Sequence, residues 1–400
     1  MGDKFWRRHK FYRCLDFFTS RRYNTPRTAI KRIVRRTLGL QLRDHRVAKC
    51  RKSTIFNALT AAGAQVANYP FCTIDPNQGI VPVPDERLAN LARLLRPEKV
   101  TPTVLEFWDI AGLVKGASQG EGLGNRFLGH IRNVEAVAHV VRCFEAENVV
   151  HVHGSVDPRR DLDIVRTELI LADFQTVENR LQKTAHQAKV GDKRAAEEIP
   201  ILQAFHDHLA AGKPAAGLKV SSEGGKILSS LGLLTAKPQL YVANASEKEL
   251  RERRFIPRVA EAAAAEGSPV VIVCGDLEAE MAELKEEERV EFLRDMGLSE
   301  SALNQLIRAG YGILHLITFY TTVGPELRAW TLPRGTRAPQ AAGKIHTDME
   351  RGFIRAEVVA FPDFVAAGSM AAARDKGLIR VEGKDYLVQD GDILHIRFHV

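Results

Sequence analysis

From residue 52 onward, short apolar runs alternate along the chain with longer amphipathic segments and glycine-rich turns. Each apolar run ends where polar or glycine residues begin, which is typical of buried strands. The predicted strands are residues 104–109, 136–144, 239–244 and 269–274. This alternation predicts an α/β fold with a doubly wound, mainly parallel sheet that helices cover on both faces. Ligands bind such sheets at the carboxyl ends of the strands.

A long interruption, residues 161–231, lies between the second and third predicted strands. Its apolar residues, such as Leu162 and Val165, recur at helical spacing. We therefore predict an inserted helical hairpin that forms a coiled-coil arm. Charged residues along it, such as Arg180 and Glu198, are typical of a solvated face, although a coiled-coil arm could also bind a partner.

Residues 316–400 differ from the rest of the chain because short alternating runs and turn signals follow one another closely. The strands predicted there are residues 316–321, 326–331, 384–388 and 392–398. This pattern favours a small separate α+β domain.

Charge is distributed unevenly along the chain. The net charge is +8, but residues 1–51 carry sixteen Lys and Arg against three Asp, a balance of +13. Residues 52–400 therefore carry 41 minus 46, or −5. A basic balance confined to one end suggests an arm, a targeting peptide or an artefact, and it argues against a basic nucleic-acid-binding face on a folded domain.

These patterns predict four regions. They are an aberrant, disordered or non-native segment (residues 1–51), an α/β domain (residues 52–160 and 232–315), the arm (residues 161–231) and a C-terminal domain (residues 316–400). No apolar run reaches the roughly 18 residues that a membrane span requires, and no secretory signal is found, so we expect a cytoplasmic protein. The five cysteines are too scattered for a zinc site or a disulfide framework.

The tripeptide Lys52-Ser53-Thr54, at the start of a predicted helix, is typical of the end of a phosphate-binding loop. In such loops, N–H groups at the helix N-terminus bind phosphate oxygens and the lysine amine neutralises the β- and γ-phosphates. The serine hydroxyl binds Mg²⁺. Alone, the tripeptide is a weak signal.

Two further features follow in the order that a nucleotide switch requires. Asp109 and Gly112 stand at the end of a predicted strand, where a carboxylate near the magnesium and a glycine that senses the γ-phosphate belong. Thr73 lies between them and Lys52, where a switch loop would bring its hydroxyl to the metal. Each residue alone is better explained as part of a turn or strand. Together, in this order, they indicate a nucleoside triphosphatase.

Base recognition is predicted at Asn244-Ala245-Ser246-Glu247, where guanine-specific GTPases have Asn-Lys-x-Asp after a strand. The aspartate of such proteins accepts two hydrogen bonds from guanine. A longer carboxylate and the loss of the lysine remove the usual discrimination, which favours adenine or mixed use.

Longer runs carry a resemblance to a known family. They are Asn68-Tyr69-Pro70-Phe71-Cys72-Thr73-Ile74, Asp109-Ile110-Ala111-Gly112-Leu113-Val114, Gly120-Glu121-Gly122-Leu123-Gly124-Asn125, Ala138-His139-Val140-Val141-Arg142-Cys143-Phe144 and Ala338-Pro339-Gln340-Ala341-Ala342-Gly343-Lys344. Over residues 52–400 the chain resembles the Obg-like ATPase (YchF) family of P-loop NTPases. The resemblance implies a P-loop fold with an inserted coiled-coil arm and a C-terminal β-grasp (TGS) domain.

The resemblance also implies an activity and partners. It implies an ATPase that can accept GTP, with Mg²⁺, acting at the ribosome as a switch linked to translation or stress. The implied partners are the ribosome, in particular its large subunit, and tRNA or rRNA bound by the arm and the TGS domain. We expect no membrane partner and a monomer.

Site residues are assigned by matching the family motifs. Nucleotide binding is assigned to Lys49, Cys50, Arg51, Lys52, Ser53, Thr54, Asp109, Gly112, Asn244, Glu247, Cys274 and Gly275. Metal binding is assigned to Ser53, Thr73 and Asp109. Leu113 is apolar where many GTPases carry a water-orienting glutamine, so hydrolysis should be slow or need another polar group. His130 is the candidate for that group, although a solvent-facing helix residue explains it better.

The chain departs from the family just before the tripeptide. The family has Gly-x-Pro-Asn-Val-Gly there, and this chain has Arg46 and Arg51 at the two glycines. Arg51 would occupy space beside the phosphates, so the loop should not form as written. Lys49 holds the place of the asparagine on which potassium dependence usually rests, so a potassium requirement stays open.

A shifted reading frame explains both arginines. Residues 43–51 can be encoded as CGG GAT CAT CGG GTT GCC AAA TGT CGG. Read one base later, the same nucleotides spell Gly-Ile-Ile-Gly-Leu-Pro-Asn-Val-Gly, and one extra A restores Lys52 in frame. Our hypothesis is that one missing base makes everything before Lys52 an out-of-frame translation. The alternative, an organelle transit peptide over residues 1–45, leaves Arg46 and Arg51 unexplained.

A second class of function stays open. With a defective loop, the chain could be a nucleotide-independent ribosome- or RNA-binding module that docks through the arm and the C-terminal domain.

Overall fold

The structure is a computed structural model. It describes residues 37–42, 52–64, 78–110, 123–145 and 155–399. None of the helices in these ranges combines the length and the apolar character that crossing a bilayer demands.

The elements of the first part of the chain belong to the α/β domain and the arm. In chain order they are β1 (Thr37–Leu42), α1 (Lys52–Ala64), β2 (Gln78–Pro82), α2 (Glu86–Leu95), β3 (Lys99–Thr101), β4 (Val104–Ile110), α3 (Leu123–Asn133), β5 (Ala136–Cys143), α4 (Pro158–Lys189), α5 (Lys193–Ala210), α6 (Ser222–Leu231), β6 (Gln239–Ala245), α7 (Glu247–Glu252), α8 (Ile256–Ala265), β7 (Val270–Cys274), α9 (Gly275–Glu283), α10 (Glu286–Asp295) and α11 (Ala302–Ile313).

The remaining elements form the C-terminal domain. They are β8 (Leu316–Val323), β9 (Glu326–Pro333), α12 (Ala338–Ile345), α13 (Thr347–Arg351), β10 (Phe353–Ala360), α14 (Phe361–Ala367), α15 (Met370–Asp375), β11 (Arg380–Glu382) and β12 (Asp392–Phe398).

The first sheet has the strand order β2-β4-β1-β5-β6-β7. Its strands run parallel except β2, which pairs antiparallel with β4. Every residue of β5 is buried because helices cover both faces of the sheet. This explains the uninterrupted apolar sequence of that strand. The predicted doubly wound parallel sheet is confirmed.

Helices pack on both faces of this sheet. On one face, Ile55 and Leu59 of α1 and Leu306 of α11 join the same apolar cluster as residues of β4 and β6. On the other face, Ile131 of α3 and Leu169 of α4 pack with residues of β4 and β5. The central position is held by β1, although the sequence predicts no strand before residue 52.

The arm is an antiparallel pair of helices, α4 and α5. Asp192 caps α5 by accepting hydrogen bonds from the N–H groups of Arg194 and Ala195. The guanidinium of Arg180 on α4 pairs with the carboxylate of Glu198 on α5 at 2.9 Å. At the base of the arm, buried Asp173 accepts hydrogen bonds from the backbone N–H groups of Leu234 and Thr235 (2.7 and 2.8 Å). These bonds fix the arm to the segment that leads into β6.

The second sheet has the strand order β11-β10-β12-β8-β9-β3. The prediction of a strand over residues 384–388 is wrong, because the backbone there bonds to the segment before α12. For example, Val388 N–H donates to the carbonyl oxygen of Thr336. The sequence also misses β10, whose register shifts between Phe353 and Arg355 and so breaks the alternation of apolar and polar residues.

An early segment of the chain completes this second sheet. β3 pairs parallel with β9 at its edge, so Thr101 lies opposite Arg328. Leu88 and Leu91 of α2 pack with Tyr320 and Phe364 of the C-terminal domain. Residues 86–101 therefore pack with the C-terminal sheet, which the predicted division at residue 316 does not anticipate.

A buried histidine lies on β5 next to the base of the arm. His139 is 5% exposed, and its ring stacks on Tyr241 with ring centroids 5.3 Å apart. The hydroxyl of Tyr241 donates to a carboxylate oxygen of Glu266 at 2.5 Å. Burial lowers the pKa of His139 from 6.5 to about 4. The imidazole is therefore neutral in the folded protein throughout the neutral range.

We predict that this histidine makes the protein less stable in acid. Between pH 6.5 and about pH 4, the unfolded chain takes up a proton that the folded protein excludes. The free energy of unfolding should therefore fall by up to about 3 kcal/mol over that range. Urea unfolding across the range should show a weaker pH dependence in His139→Asn. The exposed His186→Asn serves as the control, and equal slopes in the two variants would contradict the prediction.

Candidate nucleotide site at the carboxyl edge of the first sheet

The carboxyl ends of the parallel strands meet at one edge of the first sheet. The pairing register places Gln41 of β1 opposite Ile110 of β4, and Cys143 of β5 opposite Ala245 of β6. Ala245 lies in turn opposite Cys274 of β7. Five strand ends are thus aligned, so residues that directly follow different strands are neighbours in space.

The helix α1 begins at this edge. It starts at Lys52, and its residues Ile55 and Leu59 are fully buried against the sheet. The first N–H groups of a helix have no partner within the helix, and the helix dipole is positive at that end. The start of α1 therefore directs hydrogen-bond donors to the carboxyl edge, which suits an anion such as a phosphate.

Three of the assigned residues converge beside this helix start. A Cβ atom added to Gly275 would lie 3.8 Å from Oδ1 of Asn244 and 3.8 Å from Cγ2 of Thr54. These residues come from the start of α9, the end of β6 and the first turn of α1. The structure thus brings Thr54, Asn244 and Gly275 together, although they lie far apart in the sequence.

The segment that carries Asn244 is tightly held. The Asn244 side chain is 2% exposed, while Glu247 at the start of α7 is exposed. Ser246 caps α7 by accepting a hydrogen bond from the N–H of Glu249. The Glu249 carboxylate is buried and accepts hydrogen bonds from the N–H groups of Phe255 and Ile256 (2.5 and 3.0 Å).

Sequence reasoning does not single out Ser246 and Glu249. Their spacing, Ser-x-x-Glu, is the signal that predicts a helix cap. Here the carboxylate of Glu249 accepts hydrogen bonds from backbone N–H groups after α7, and not from the backbone of the cap residue. It thereby ties residue 249 to residues 255 and 256, just after the residues that are predicted to read the base.

Asp109 stands at the same edge. It is the second-last residue of β4, lies opposite Leu40 of β1 and is half-buried. A carboxylate at this position is a suitable ligand for Mg²⁺, which prefers oxygen. Within the described ranges, no group of three or more His, Cys, Asp or Glu residues could hold a metal. A single carboxylate suits a magnesium site whose other ligands are hydroxyls, water and phosphates.

Several assigned residues lie outside the described part of the chain. They are Lys49, Cys50, Arg51, Thr73 and Gly112. Of the remaining assignments, Cys274 is a buried cysteine that directly precedes α9.

The structure does not bring His130 to this edge. The residue is exposed and lies three residues before the end of α3. That end of α3 leads into the amino end of β5, at the opposite edge of the sheet. The apolar face of α3, with Leu128 and Ile131, turns to the core. This placement fits a solvent-facing helix residue, which the sequence already favours.

Two family models match the chain. One is described as a 50S ribosome-binding GTPase and matches residues 52–187. The other is the C-terminal domain of YchF-type GTPases, described as a protein of unknown function, and matches residues 316–399.

Curated relatives match most of the chain. The ribosome-binding ATPase YchF of Bacillus subtilis is 52% identical over 352 residues, which cover 87% of this chain and 96% of the relative. The ribosome-binding ATPase YchF of Escherichia coli O157:H7 is 50% identical over 349 residues, with the same two coverages of 87% and 96%.

Solved structures agree with this result. The structure of the Schizosaccharomyces pombe YchF GTPase matches with a TM-score of 0.81 and 35% identity, covering 90% of this chain and 97% of that one. A GTP-binding protein from Pyrococcus horikoshii matches with a TM-score of 0.57 and 19% identity, covering 91% of this chain and 100% of that one, which supports the fold alone.

A parallel sheet whose carboxyl edge holds a helix start, a carboxylate and a buried asparagine, together with the match of residues 52–187 to a GTPase family model, defines the class of P-loop nucleoside triphosphatases. Within that class, sequence identity decides the family. About half of all aligned residues are identical over nearly the full length of the relatives. The chain belongs to the YchF family, as the resemblance implies.

We predict that Glu247 helps to set the choice of base. In a variant in which Gly-Ile-Ile-Gly-Leu-Pro-Asn-Val-Gly replaces residues 43–51, Glu247→Asp should shift preference towards GTP by about tenfold, because the shorter carboxylate can accept both guanine hydrogen bonds. Competition of unlabelled ATP and GTP against fluorescent ATP measures the shift. Glu252→Asp, at the other end of α7, is the control. An unchanged ratio of the two affinities would refute a role for Glu247.

Proposed function

We propose that this protein is a magnesium-dependent ATPase of the ribosome, able to use GTP, whose nucleotide state is read by the arm and the C-terminal domain. The convergence of Thr54, Asn244 and Gly275 at the carboxyl edge that also holds Asp109 carries the proposal. The names of the relatives, which describe ribosome-binding ATPases, support both the reaction and the partner.

The proposed roles follow the chemistry of the edge. The N–H groups at the start of α1 and the amine of Lys52 bind the phosphates. Ser53, Thr73 and Asp109 provide oxygen ligands for the metal. Mg²⁺, when bound, neutralises charge on the β- and γ-phosphates. Asn244 and Glu247 read the base. Hydrolysis is slow or needs another polar group, because Leu113 offers none to orient water.

A path of contacts supports coupling between the site and the arm. α3 follows the segment that holds Gly112, and its residue Arg132 donates a hydrogen bond to the hydroxyl of Thr176 on the arm (2.9 Å). The amine of Lys237 donates to the carbonyl oxygens of Arg132 and Val134 (3.1 and 2.5 Å). A displacement of α3 would therefore pull on the base of the arm.

A second path supports coupling to the C-terminal domain. β2 follows the segment that holds Thr73 and leads to Asp85, which accepts a hydrogen bond from the hydroxyl of Tyr320. The guanidinium of Arg87 donates to both carboxylate oxygens of Asp390 (2.9 and 3.2 Å). These bonds join the segment after the predicted switch loop to the second sheet.

The same proposal extends to the binding partners. The description of a 50S ribosome-binding GTPase for the matching family favours the large subunit. We propose that the arm and the C-terminal domain contact tRNA or rRNA and that the protein acts as a monomer. A potassium requirement would follow only if asparagine replaces Lys49 in the authentic loop.

We further propose that the authentic protein carries the loop Gly-Ile-Ile-Gly-Leu-Pro-Asn-Val-Gly at residues 43–51. The chain as written should bind ATP at least about 100-fold more weakly than a variant with that loop, because Arg51 occupies the space of the phosphates. Titration with fluorescent ATP, with and without Mg²⁺, measures the difference. Lys52→Ala in the variant should abolish tight binding.

Two results would separate the alternatives. Equal ATP binding by both proteins would contradict the frameshift hypothesis, and sequencing of the locus would test it directly. Failure of the variant to bind ATP, combined with binding of both proteins to ribosomes in a sedimentation assay, would favour the nucleotide-independent docking module.

We predict that the bond between Arg132 and Thr176 transmits the nucleotide state to the arm. In the variant with the restored loop, ribosome co-sedimentation should depend on whether ATP or ADP is bound. Arg132→Met should reduce this dependence severalfold while leaving ATP affinity unchanged, because it removes the guanidinium that donates the hydrogen bond but keeps an unbranched apolar side chain. The matched control is Arg180→Met, which breaks only the exposed pair within the arm. Loss of nucleotide dependence in the control alone would contradict this coupling.

A further inference from the structure

The helix α10 lies at the surface of the α/β domain, with Arg289, Phe292 and Leu293 half-buried. No residue of α10 whose exposure is described belongs to the buried core, although the helix carries Val290, Phe292 and Leu293. Val290 is 59% exposed, and two apolar residues that follow the helix, Met296 and Leu298, are 47% and 43% exposed. Solvent exposure of so many large apolar side chains at one place marks an interaction surface.

The helix is amphipathic. At about 100° per residue, Val290, Leu293 and Met296 follow one another at a spacing of three and form one apolar stripe. Glu287 and Glu291, which lie four residues apart, point to the adjacent side and are exposed. The apolar stripe therefore has a border of Glu287 and Glu291, the second of which pairs with exposed Arg294 at 3.5 Å, so the border is acidic but contains one arginine.

The segment around α10 accounts for the net negative charge of residues 52–400. Residues 276–300 contain ten Asp and Glu against three Lys and Arg, a net charge of −7. Residues 52–400 as a whole carry −5, so all the other residues of that range sum to +2. The acidic charge is local and coincides with the exposed apolar stripe.

The segment that carries α10 is firmly anchored. Glu278 on α9 is 4% exposed and accepts a hydrogen bond from the N–H of Ala302 at the start of α11 (2.7 Å). Residues Leu277 and Met281 of α9 and Leu306 of α11 are buried. The chain thus leaves the core after α9 and returns at α11 between fixed points, so α10 is presented in a defined position.

From these observations we infer that the surface formed by Glu287, Val290, Glu291, Leu293, Met296 and Leu298 docks a basic, amphipathic segment of a protein partner. The apolar stripe supplies anchors, and the acidic border attracts and orients a cationic segment. Nucleic acid does not fit, because a surface with this charge repels phosphates. The inference does not depend on nucleotide binding or on ribosome binding.

The inference is tested by measuring how tightly the full chain binds a synthetic amphipathic helical peptide of leucine and lysine. A scrambled peptide of the same composition is the comparison. We expect the amphipathic peptide to bind more tightly than the scrambled one. A triple variant, Val290→Ser, Met296→Ser and Leu298→Ser, should weaken its binding at least about tenfold. Glu287→Gln with Glu291→Gln should weaken it and reduce its salt dependence.

The control is Val381→Ser, on the edge strand of the C-terminal domain, where an equally exposed valine lies opposite Glu357, whose carboxylate pairs with Arg374 and Arg397. Because all substituted side chains are exposed, thermal unfolding should be unchanged, which distinguishes lost docking from lost folding. Equal peptide binding by the control and the triple variant would overturn the inference. So would binding of an RNA oligonucleotide that the triple variant loses, or a self-association of the chain that the triple variant abolishes.

Discussion

Parallel hydrogen bonding among β4, β1, β5, β6 and β7 is the constraint on which the rest of the molecule depends. Each parallel connection must return the chain to the amino edge, so the helices cover the faces of the sheet and the strand ends meet at the carboxyl edge. Thr54, Asn244 and Gly275 are neighbours only because of this alignment. The insertion of the arm between β5 and β6 leaves their pairing intact, so the site and the arm share one rigid support.

Local patterns account for the elements that the sequence predicts correctly. β5 is buried on both faces, so its composition alone identifies it. β10 escapes notice because a register shift interrupts its alternation, and residues 384–388 mimic a strand while bonding outside the sheet. β3 is only three residues long, and its partner β9 lies more than 200 residues later. No local pattern can predict such a pairing.

The candidate site divides in the same way. Motif matches predict Asp109, Asn244 and Gly275 as site residues, because phosphate and base chemistry restricts the residue types that can serve there. The anchoring of that site by Glu249 depends on backbone groups of Phe255 and Ile256 that become partners only after folding. His130 illustrates the opposite error. Its residue type suits catalysis, but the direction of α3 carries it to the other edge of the sheet.

The pairing of β3 with β9 has a consequence for synthesis of the chain. Thr101 donates a hydrogen bond to Glu326, 225 residues later, so the second sheet closes a very long loop. Until β9 emerges from the ribosome, Leu88 and Leu91 have no apolar cover from the C-terminal domain. In a nascent chain that stalls before residue 316, β3 would therefore lack its partner strand and α2 would expose its apolar side chains. Chaperones and proteases recognise such features.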